Sequence, residues 1–315
     1  MLEIQNVSKH YANGFDVLTD VSFDVAGDDF VLLTGPTDAG KTTLMRLINQ
    51  SEDMSFGDIK INGYSIKNME KTDVYRHIGF VDKYNNLFPH LTVEDNVMLF
   101  YDGLGWNQMK RKSRFNELMD IIGFSPDEYR HLYPHQLIWE GQKEKLVIAR
   151  ALATDPSIIL MDEPDNDLNL RVAKKLSQIL KEVKKPVLYA EEKLDDLKFI
   201  ADKAVILNNE VLQHDTPAEI LRKPKNKMVL DIIGEDHISQ CLFLYTVKDL
   251  ADVIPLSNIP ADSSHGNKGM SLHTPLKAAL IYLSVAKENY IVIVDKNNNK
   301  RGILTTEKIK EFLNT

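Results

Sequence analysis

Eight consecutive residues, Gly35-Pro36-Thr37-Asp38-Ala39-Gly40-Lys41-Thr42, constrain this chain more than any other stretch. They fit the pattern GxxxxGK[ST]. The apolar run Phe30–Thr34 precedes them, and a helical pattern over Lys41–Asn49 follows. The glycines let backbone N–H groups close around an anion, and a helix N-terminus adds partial positive charge. The strand–loop–helix order therefore predicts a phosphate cradle in an α/β domain. Lys41 is placed to reach the β- and γ-phosphates of a nucleotide, and the Thr42 hydroxyl to sit on Mg²⁺. A second apolar run, Ile158–Met161, ends in Asp162 and Glu163. Strand-end carboxylates of this kind hold Mg²⁺ through its shell (Asp162) and act as a general base on the attacking water (Glu163).

A third run, Val187–Ala190, also reads as a buried parallel strand, and a helix is expected over about 169–183. Alternating strands and helices imply a parallel sheet. The stretch from about 92 to 150 is more helical, with Thr92 as a cap and Glu94 and Asp95 in its first turn. Composition shifts near 225–235. Beyond it, Thr274-Pro275 marks a helix start, Tyr290–Val294 and Gly302–Leu304 read as strands, and a last helix ends near Phe312. The expected organisation is a nucleotide-binding domain over 1–228 (helical subdomain about 84–150), a linker over 229–245 and a small α+β domain over 246–315.

Charge narrows the partners. The 38 Lys+Arg against 46 Asp+Glu give a net charge of −8. Duplex DNA needs a clustered basic surface, so nucleic acid is not an expected partner. The short runs Lys110–Arg114, Arg222–Lys227 and Lys296–Arg301 read as solvated faces. Cys241 is the single cysteine, which suits a reducing compartment. The N-terminus lacks the basic start and apolar run of a signal peptide, and no apolar stretch approaches the ~20 residues that span a bilayer. A membrane role would go through a partner. The histidines show no metal-ligand spacing. Trp106 and the methionines fall in helical patterns and read as core.

With both motifs placed, residues 1–225 resemble the nucleotide-binding subunit of an ABC transporter. The resemblance is to the ATPases of importers for quaternary amines (glycine betaine, carnitine, choline). It is carried by Leu2–Tyr11, the phosphate loop with Leu44–Asn49, the segment Leu87-Phe88-Pro89-His90-Leu91-Thr92, and Tyr133–Leu137. Ala149–Leu152 with Ile158–Glu163, and Thr216–Leu221, complete it. The tail, Val292–Asp295 with Gly302–Thr305, is similar to a CBS domain. The resemblance implies a P-loop NTPase fold with a helical subdomain and a CBS-like tail. It implies ATP and Mg²⁺ at the site, with Tyr11 stacking on adenine and residues 35–43, including Thr43, around the phosphates. It also implies an integral-membrane permease as partner, a homodimer or a heterodimer with another ABC ATPase, and a place on the cytoplasmic face of the membrane.

The chain departs from the family pattern at several positions. Lys83 stands where the family has the glutamine that senses γ-phosphate and touches the permease. Ile138-Trp139-Glu140-Gly141-Gln142 replaces the LSGGQ signature that caps the partner's ATP. Glu140 brings a negative charge towards a polyanion; two unit charges ~4 Å apart at an effective dielectric of ~20 repel by about 4 kcal/mol at most. Glu192 takes the place of the switch histidine, and an ionised carboxylate cannot donate to a phosphate. Asn169 replaces the D-loop aspartate. Asp38 stands where Gly or Asn is usual, predicting weaker ATP binding in a loop of unchanged shape. Lys308 occupies the position of a ribose-binding aspartate of CBS modules, which argues against ribose binding in the tail.

Two main readings follow, with a soluble P-loop switch as a third. One is a transport ATPase subunit with Glu163 as base. The alternative is a degenerate regulatory subunit that binds ATP but hydrolyses it poorly.

Overall fold

The structure, a computed structural model, describes residues 1–12, 14–82, 87–100, 105–139, 141–163, 178–192, 196–259, 269–286 and 289–315. The chain divides into two compact units, Met1–Thr216 and Pro217–Thr315.

In the first unit, β1 (Leu2–His10), β2 (Asp16–Val25), β4 (Phe56–Ile61) and β5 (Tyr64–Ser65) form an antiparallel sheet in the order β2-β1-β4-β5. The second sheet contains β3 (Phe30–Thr34), β6 (Ile78–Asp82), β7 (Ile158–Asp162), β8 (Val187–Glu191), β9 (Lys203–Asn208) and β10 (Glu210–Asp215). Its order is β10-β9-β3-β8-β7-β6, with β9 through β6 parallel and β10 antiparallel at one edge. β3 and β7 are buried at every residue, as runs covered on both faces must be. α1 (Lys41–Ile48) packs its Leu44, Met45, Leu47 and Ile48 into the core that the two sheets share, against Leu33, Leu160 and Leu188. All three sequence-read strands are present, β7 and β8 each one residue longer than expected. Of the helix expected over 169–183, only 178–183 lies within the described residues, and it is helical.

The helical stretch contains α2 (Lys71–His77) before β6, then α3 (Val93–Val97), α4 (Gln108–Ile121), α5 (Pro126–Tyr129) and α6 (Gln142–Leu152). Thr92 caps α3 as its sequence position predicts, accepting from the Asp95 amide at 3.1 Å. Trp106 differs from its expected place: it is half-buried and precedes α4, with the Lys110 ammonium 4.1 Å over its ring. Met109 is 83% exposed and Met228 49%, so the core reading fails for those methionines, while Met45, Met98, Met119 and Met161 are buried. Nor is Arg114 simply solvated; its guanidinium donates to Leu152 O at 2.7 Å and Ala153 O at 3.3 Å, closing the C-terminal end of α6.

In the second unit the residues expected to be a linker, 229–245, are helical over 229–233 and 237–244. α7 (Pro217–Arg222) is followed by α8 (Lys227–Ile233) and α9 (His237–Leu244). Asn226 caps α8 by accepting from the Val229 amide, and Val229, Ile233, Cys241 and Leu242 are buried. A composition shift marked this region, but its apolar face has a core to meet and so folds with the tail; the boundary falls at 216/217, not 228. α10 (Val247–Val253), α11 (Leu276–Val285) and α12 (Thr306–Asn314) accompany a three-stranded sheet in the order β11 (Met270–Ser271), β12 (Tyr290–Val294), β13 (Lys300–Thr305). Their core contains Leu250, Leu276, Ile293, Leu304 and Phe312. Thr274 does not cap α11. Pro275 holds the cap position in extended backbone, and the Thr274 carbonyl accepts from the Val247 amide. Lys308, at the ribose-aspartate position, donates its ammonium to Pro255 O.

Candidate functional site

The parallel order β3-β8-β7-β6 decides which strand ends meet. Cα register pairs Thr34 with Glu191, Asp162 with Ala190, and Asp82 with Asp162. The carboxyl ends of four strands therefore lie side by side, where open α/β sheets bind ligands. The loop after β3 and the residues after β7 open onto this edge.

The loop keeps its shape through backbone packing. Gly35 lies against β9; a Cβ there would meet Leu207 O at 1.9 Å. Pro36 is half-buried and Thr37 exposed, and the Ala39 amide donates to Pro36 O at 3.2 Å. Ala39 O accepts from the Asn209 amide at 3.0 Å. Asp38 has φ 66, so aspartate does take the left-handed conformation, with its side chain exposed. Gly40, with φ 95, is the N-cap of α1, and no side chain caps this helix. The amides of Lys41, Thr42 and Thr43 in its first turn have no i−4 carbonyl to bond. They form a ready anion site.

Lys41 is only 4% exposed. Its ammonium donates to Gly35 O at 2.8 Å and Pro36 O at 3.0 Å. It also lies 3.7 Å from Glu163 Oε1. A buried ammonium needs such partners, because its desolvation is costly. Thr42 Oγ1 donates to Asp162 Oδ1 at 3.2 Å across 120 positions of sequence. A hydroxyl and a carboxylate so close are hard oxygen donors, the set that suits Mg²⁺. Glu163 has φ 43, and its amide donates to Ala190 O at 3.0 Å, turning the chain off β7 at the carboxylate. Lys41, Thr42, Asp162 and Glu163 are thus one cluster, as their motifs predict.

Tyr11 lies just past β1, half-buried, with its phenol donating to Glu52 Oε2 at 2.5 Å. Its Glu52 hydrogen bond first, and then burial, raise the phenol above its ordinary value, while a side-chain hydrogen bond with Thr43 works the other way. Glu52 itself carries no motif, and sequence reasoning missed it. Nothing in the local sequence points to it, since its partners come from β1 and α1. Asn96 was missed as well. It is fully buried and bonds Phe88 N, Phe88 O, Leu91 O and Thr92 O, holding the Leu87–Thr92 turn.

Of the divergent positions, Lys83, Glu140 and Asn169 lie outside the described residues. Trp139 is 71% exposed beside Gly141, the left-handed N-cap of α6. Its amide donates to Gln142 Oε1 at 2.8 Å. Glu192 is exposed, and its carbonyl accepts from the Thr34 hydroxyl at 3.0 Å. No helix of the described residues is long and apolar enough to cross a membrane.

Comparison with known proteins completes this picture. The ABC transporter family model matches residues 18–166. The glycine betaine/carnitine/choline transport ATP-binding protein OpuCA of Bacillus subtilis is 32% identical, over 99% of this chain and 80% of its own length. The osmoprotectant import ATP-binding protein OsmV of Salmonella typhimurium is 29% identical, over 96% of this chain and 79% of its own. Among solved structures, the dimeric ATP-binding cassette MJ0796 bound to ADP and Pi superposes with a TM-score of 0.59 at 25% identity. It covers 69% of this chain and 98% of that one. CbiO1 of Clostridium perfringens shares the fold, with a TM-score of 0.64 at 19% identity, over 71% of this chain and 91% of its own. The relatives' names lend no support to the regulatory alternative. On this likeness and this site, the chain belongs to the ATP-binding proteins of ABC transporters, a family of transport ATPases.

Proposed function

We propose that this chain is the ATP-binding subunit of an importer for a quaternary-amine osmoprotectant such as glycine betaine, carnitine or choline. The observation that carries the reading is the cluster of Lys41, Thr42, Asp162 and Glu163 at the carboxyl ends of β3 and β7. One relative named for glycine betaine, carnitine and choline and another named for osmoprotectant import, aligned over nearly the whole chain, support the cargo class.

The residues fit Mg-ATP. Lys41 exchanges the carbonyls of Gly35 and Pro36 for β- and γ-phosphate oxygens, forming charge-assisted hydrogen bonds. Amides of residues 38–43 and the N-terminus of α1 take the remaining phosphate charge. Thr42 and Asp162 would hold Mg²⁺, which when bound would supply neutralising charge to the phosphates. Released from Lys41, Glu163 accepts a proton from the attacking water at its carboxylate. Tyr11 stacks on the base, and Lys83, outside the described residues, takes the sequence position of the family's γ-phosphate-sensing glutamine.

The chain acts at the cytoplasmic face of the membrane, bound to an integral-membrane permease and paired with a second ATP-binding subunit, a copy of itself or a related chain. A groove of about 590 Å³ beside β6, lined by Tyr75, Phe80, Leu99 and Phe100 with Arg76 and Arg150, is the proposed permease contact. The tail is proposed to be a CBS-like pairing module.

The test is Mg-ATP turnover by the purified chain and by the chain with its permease, each against Glu163→Gln. Turnover lost by about 10²-fold or more in the variant, together with betaine, carnitine or choline uptake, is expected. Equal phosphate release in wild type and variant, with and without the permease, moves the reading to a non-hydrolysing regulatory subunit.

A further inference from the structure

The phenol of Tyr11 poses a question that stacking does not answer. A ring stacks on a base through its face, and a phenylalanine offers the same face. Yet the hydroxyl is spoken for: it donates to Glu52 Oε2 at 2.5 Å. Glu52 follows α1, and its amide donates to Arg46 O at 3.1 Å, so the carboxylate is carried by the helix that begins at the phosphate loop.

Two cations hold Glu52 in place. Arg46 Nη1 lies 3.4 Å from Oε1, and the Lys9 ammonium 3.7 Å from Oε2. Lys9 also donates to Asp53 O at 2.6 Å and sits 4.8 Å from the Tyr11 ring centroid. Burial by itself would raise the Glu52 carboxyl, but bonds from Tyr11 and Arg46 and the charges of Lys9 and Arg46 hold it below the ordinary carboxylate value. It is therefore an ionised acceptor at neutral pH. The backbone of Tyr11 is fixed separately, by its amide to Phe15 O and its carbonyl from the Gly14 amide, both 2.9 Å. Those bonds leave the ring torsions free. The phenol joins the ring to the phosphate-loop helix, through Glu52 behind its end and through a side-chain hydrogen bond with Thr43 in its first turn.

We propose that Glu52 is a positioning residue for the base end of the nucleotide site: it holds the Tyr11 ring by its phenol and sets it at a fixed distance from the phosphate loop. This rests on Tyr11 being the base-stacking aromatic. The subsite takes a planar purine base attached to a polyphosphate, and Glu52 acts on the base without touching it. An ordered platform spares the nucleotide the entropy of ordering it.

The test separates base from phosphate. Mg-ATP and Mg-tripolyphosphate, which has no base, are titrated calorimetrically into the full-length chain and into Glu52→Ala, Glu52→Gln and Tyr11→Phe. The expected result is about tenfold weaker ATP binding in Glu52→Ala and in Tyr11→Phe, the scale of one hydrogen bond to a charged group. Tripolyphosphate binding holds or tightens, because removing Glu52 leaves Lys9 and Arg46 less neutralised. Glu52→Gln, whose amide oxygen still accepts from the phenol, recovers most of the loss. Adding Glu52→Ala to Tyr11→Phe costs nothing more. Unchanged ATP affinity in Glu52→Ala overturns the proposal. So does a parallel loss of both ligands in the Ala and Gln variants, which makes Glu52 merely structural. A wild-type chain that binds tripolyphosphate no worse than ATP overturns the reading of Tyr11 on which the proposal stands.

Discussion

Gly40 shows how much one residue of the phosphate loop must satisfy. Its φ of 95 is a conformation that L side chains avoid, and a Cβ would meet Leu18 Cδ2 at 2.5 Å and Val17 O at 2.9 Å. Gly40→Ala should therefore cost roughly 2 kcal/mol or more in denaturant unfolding and abolish nucleotide binding. A variant that unfolds like wild type would show that the loop has room to shift. Asp38 is the converse case. Its left-handed backbone suits aspartate and asparagine alike, so Asp38→Asn changes charge and not shape. Removing an exposed negative charge beside a polyphosphate should tighten Mg-ATP by about threefold at low salt, with the gain fading at high salt. An unchanged affinity at low salt would place the Asp38 carboxylate away from the phosphates. Glycine at the cap and a left-handed tolerant residue before it were both legible in the sequence, because each answers to its own backbone.

At the scale of elements, α3 was visible from Thr92, Glu94 and Asp95, but what it holds was not. Asn96 faces inward from this helix and satisfies four backbone groups of the Phe88–Thr92 turn. Loss of the side chain takes the partner from Phe88 N and Leu91 O, at about 1–3 kcal/mol each, while Phe88 O keeps the Leu91 amide and Thr92 O the Asn96 amide. Asn96→Ala should thus destabilise by about 3 kcal/mol in urea unfolding, against about 1 kcal/mol for removal of the Thr92 cap in Thr92→Ala. The reverse order would mean the turn stands without Asn96. A cap reads from a window of four residues. An inward Asn reads from periodicity only as a flaw in an apolar stripe. The helices α8 and α9 were misread for a related reason. Their apolar positions are short runs that become a helix face only when a core is there to bury them.

For the molecule as a whole, the two units differ in how their chemistry is held. The second unit is tied by Glu219, whose carboxylate accepts from Arg222 at 2.8 Å and from the Tyr245 phenol at 2.5 Å; Arg222 in turn donates to Phe312 O at 3.1 Å. Burial would raise the Glu219 carboxyl, but the bonds from Arg222 and Tyr245 outweigh it and hold it below 4.5. A carboxyl lowered on folding contributes stability above about pH 4.5, lost as pH falls through the folded value. Burial first, and then Glu219, push the Tyr245 phenol far above 10. A phenol raised on folding contributes stability that is whole below pH 10 and lost as pH rises beyond it. Melting of the second unit should accordingly fall off on both limbs, and Glu219→Gln should flatten the acid limb. An acid limb that survives the substitution would assign it to other carboxyls. Cys241 supplies the readout: it is fully buried, and burial, the largest influence, pushes its thiol up to about 12. An alkylating reagent at pH 8 should label it only as this unit unfolds, and rapid labelling of the native chain would contradict the burial.

The division between sequence and structure follows from the range of the forces. The strand–loop–helix of residues 30–49, the carboxylates closing β7 and the cap at Thr92 are settled by residues within a few positions of one another. There, turn chemistry, φ preference and unmade helix bonds act without help from the rest of the chain. That Lys41 faces Glu163 and Thr42 faces Asp162 depends on the crossed strand order, which sets β8 between β3 and β7 and brings their carboxyl ends to one edge. The hold of Glu52 on Tyr11, the inward turn of Asn96 and the folding of 229–245 into the second unit likewise needed partners distant in sequence. Hydrophobic burial selects such partners by area and fit, which no local pattern encodes.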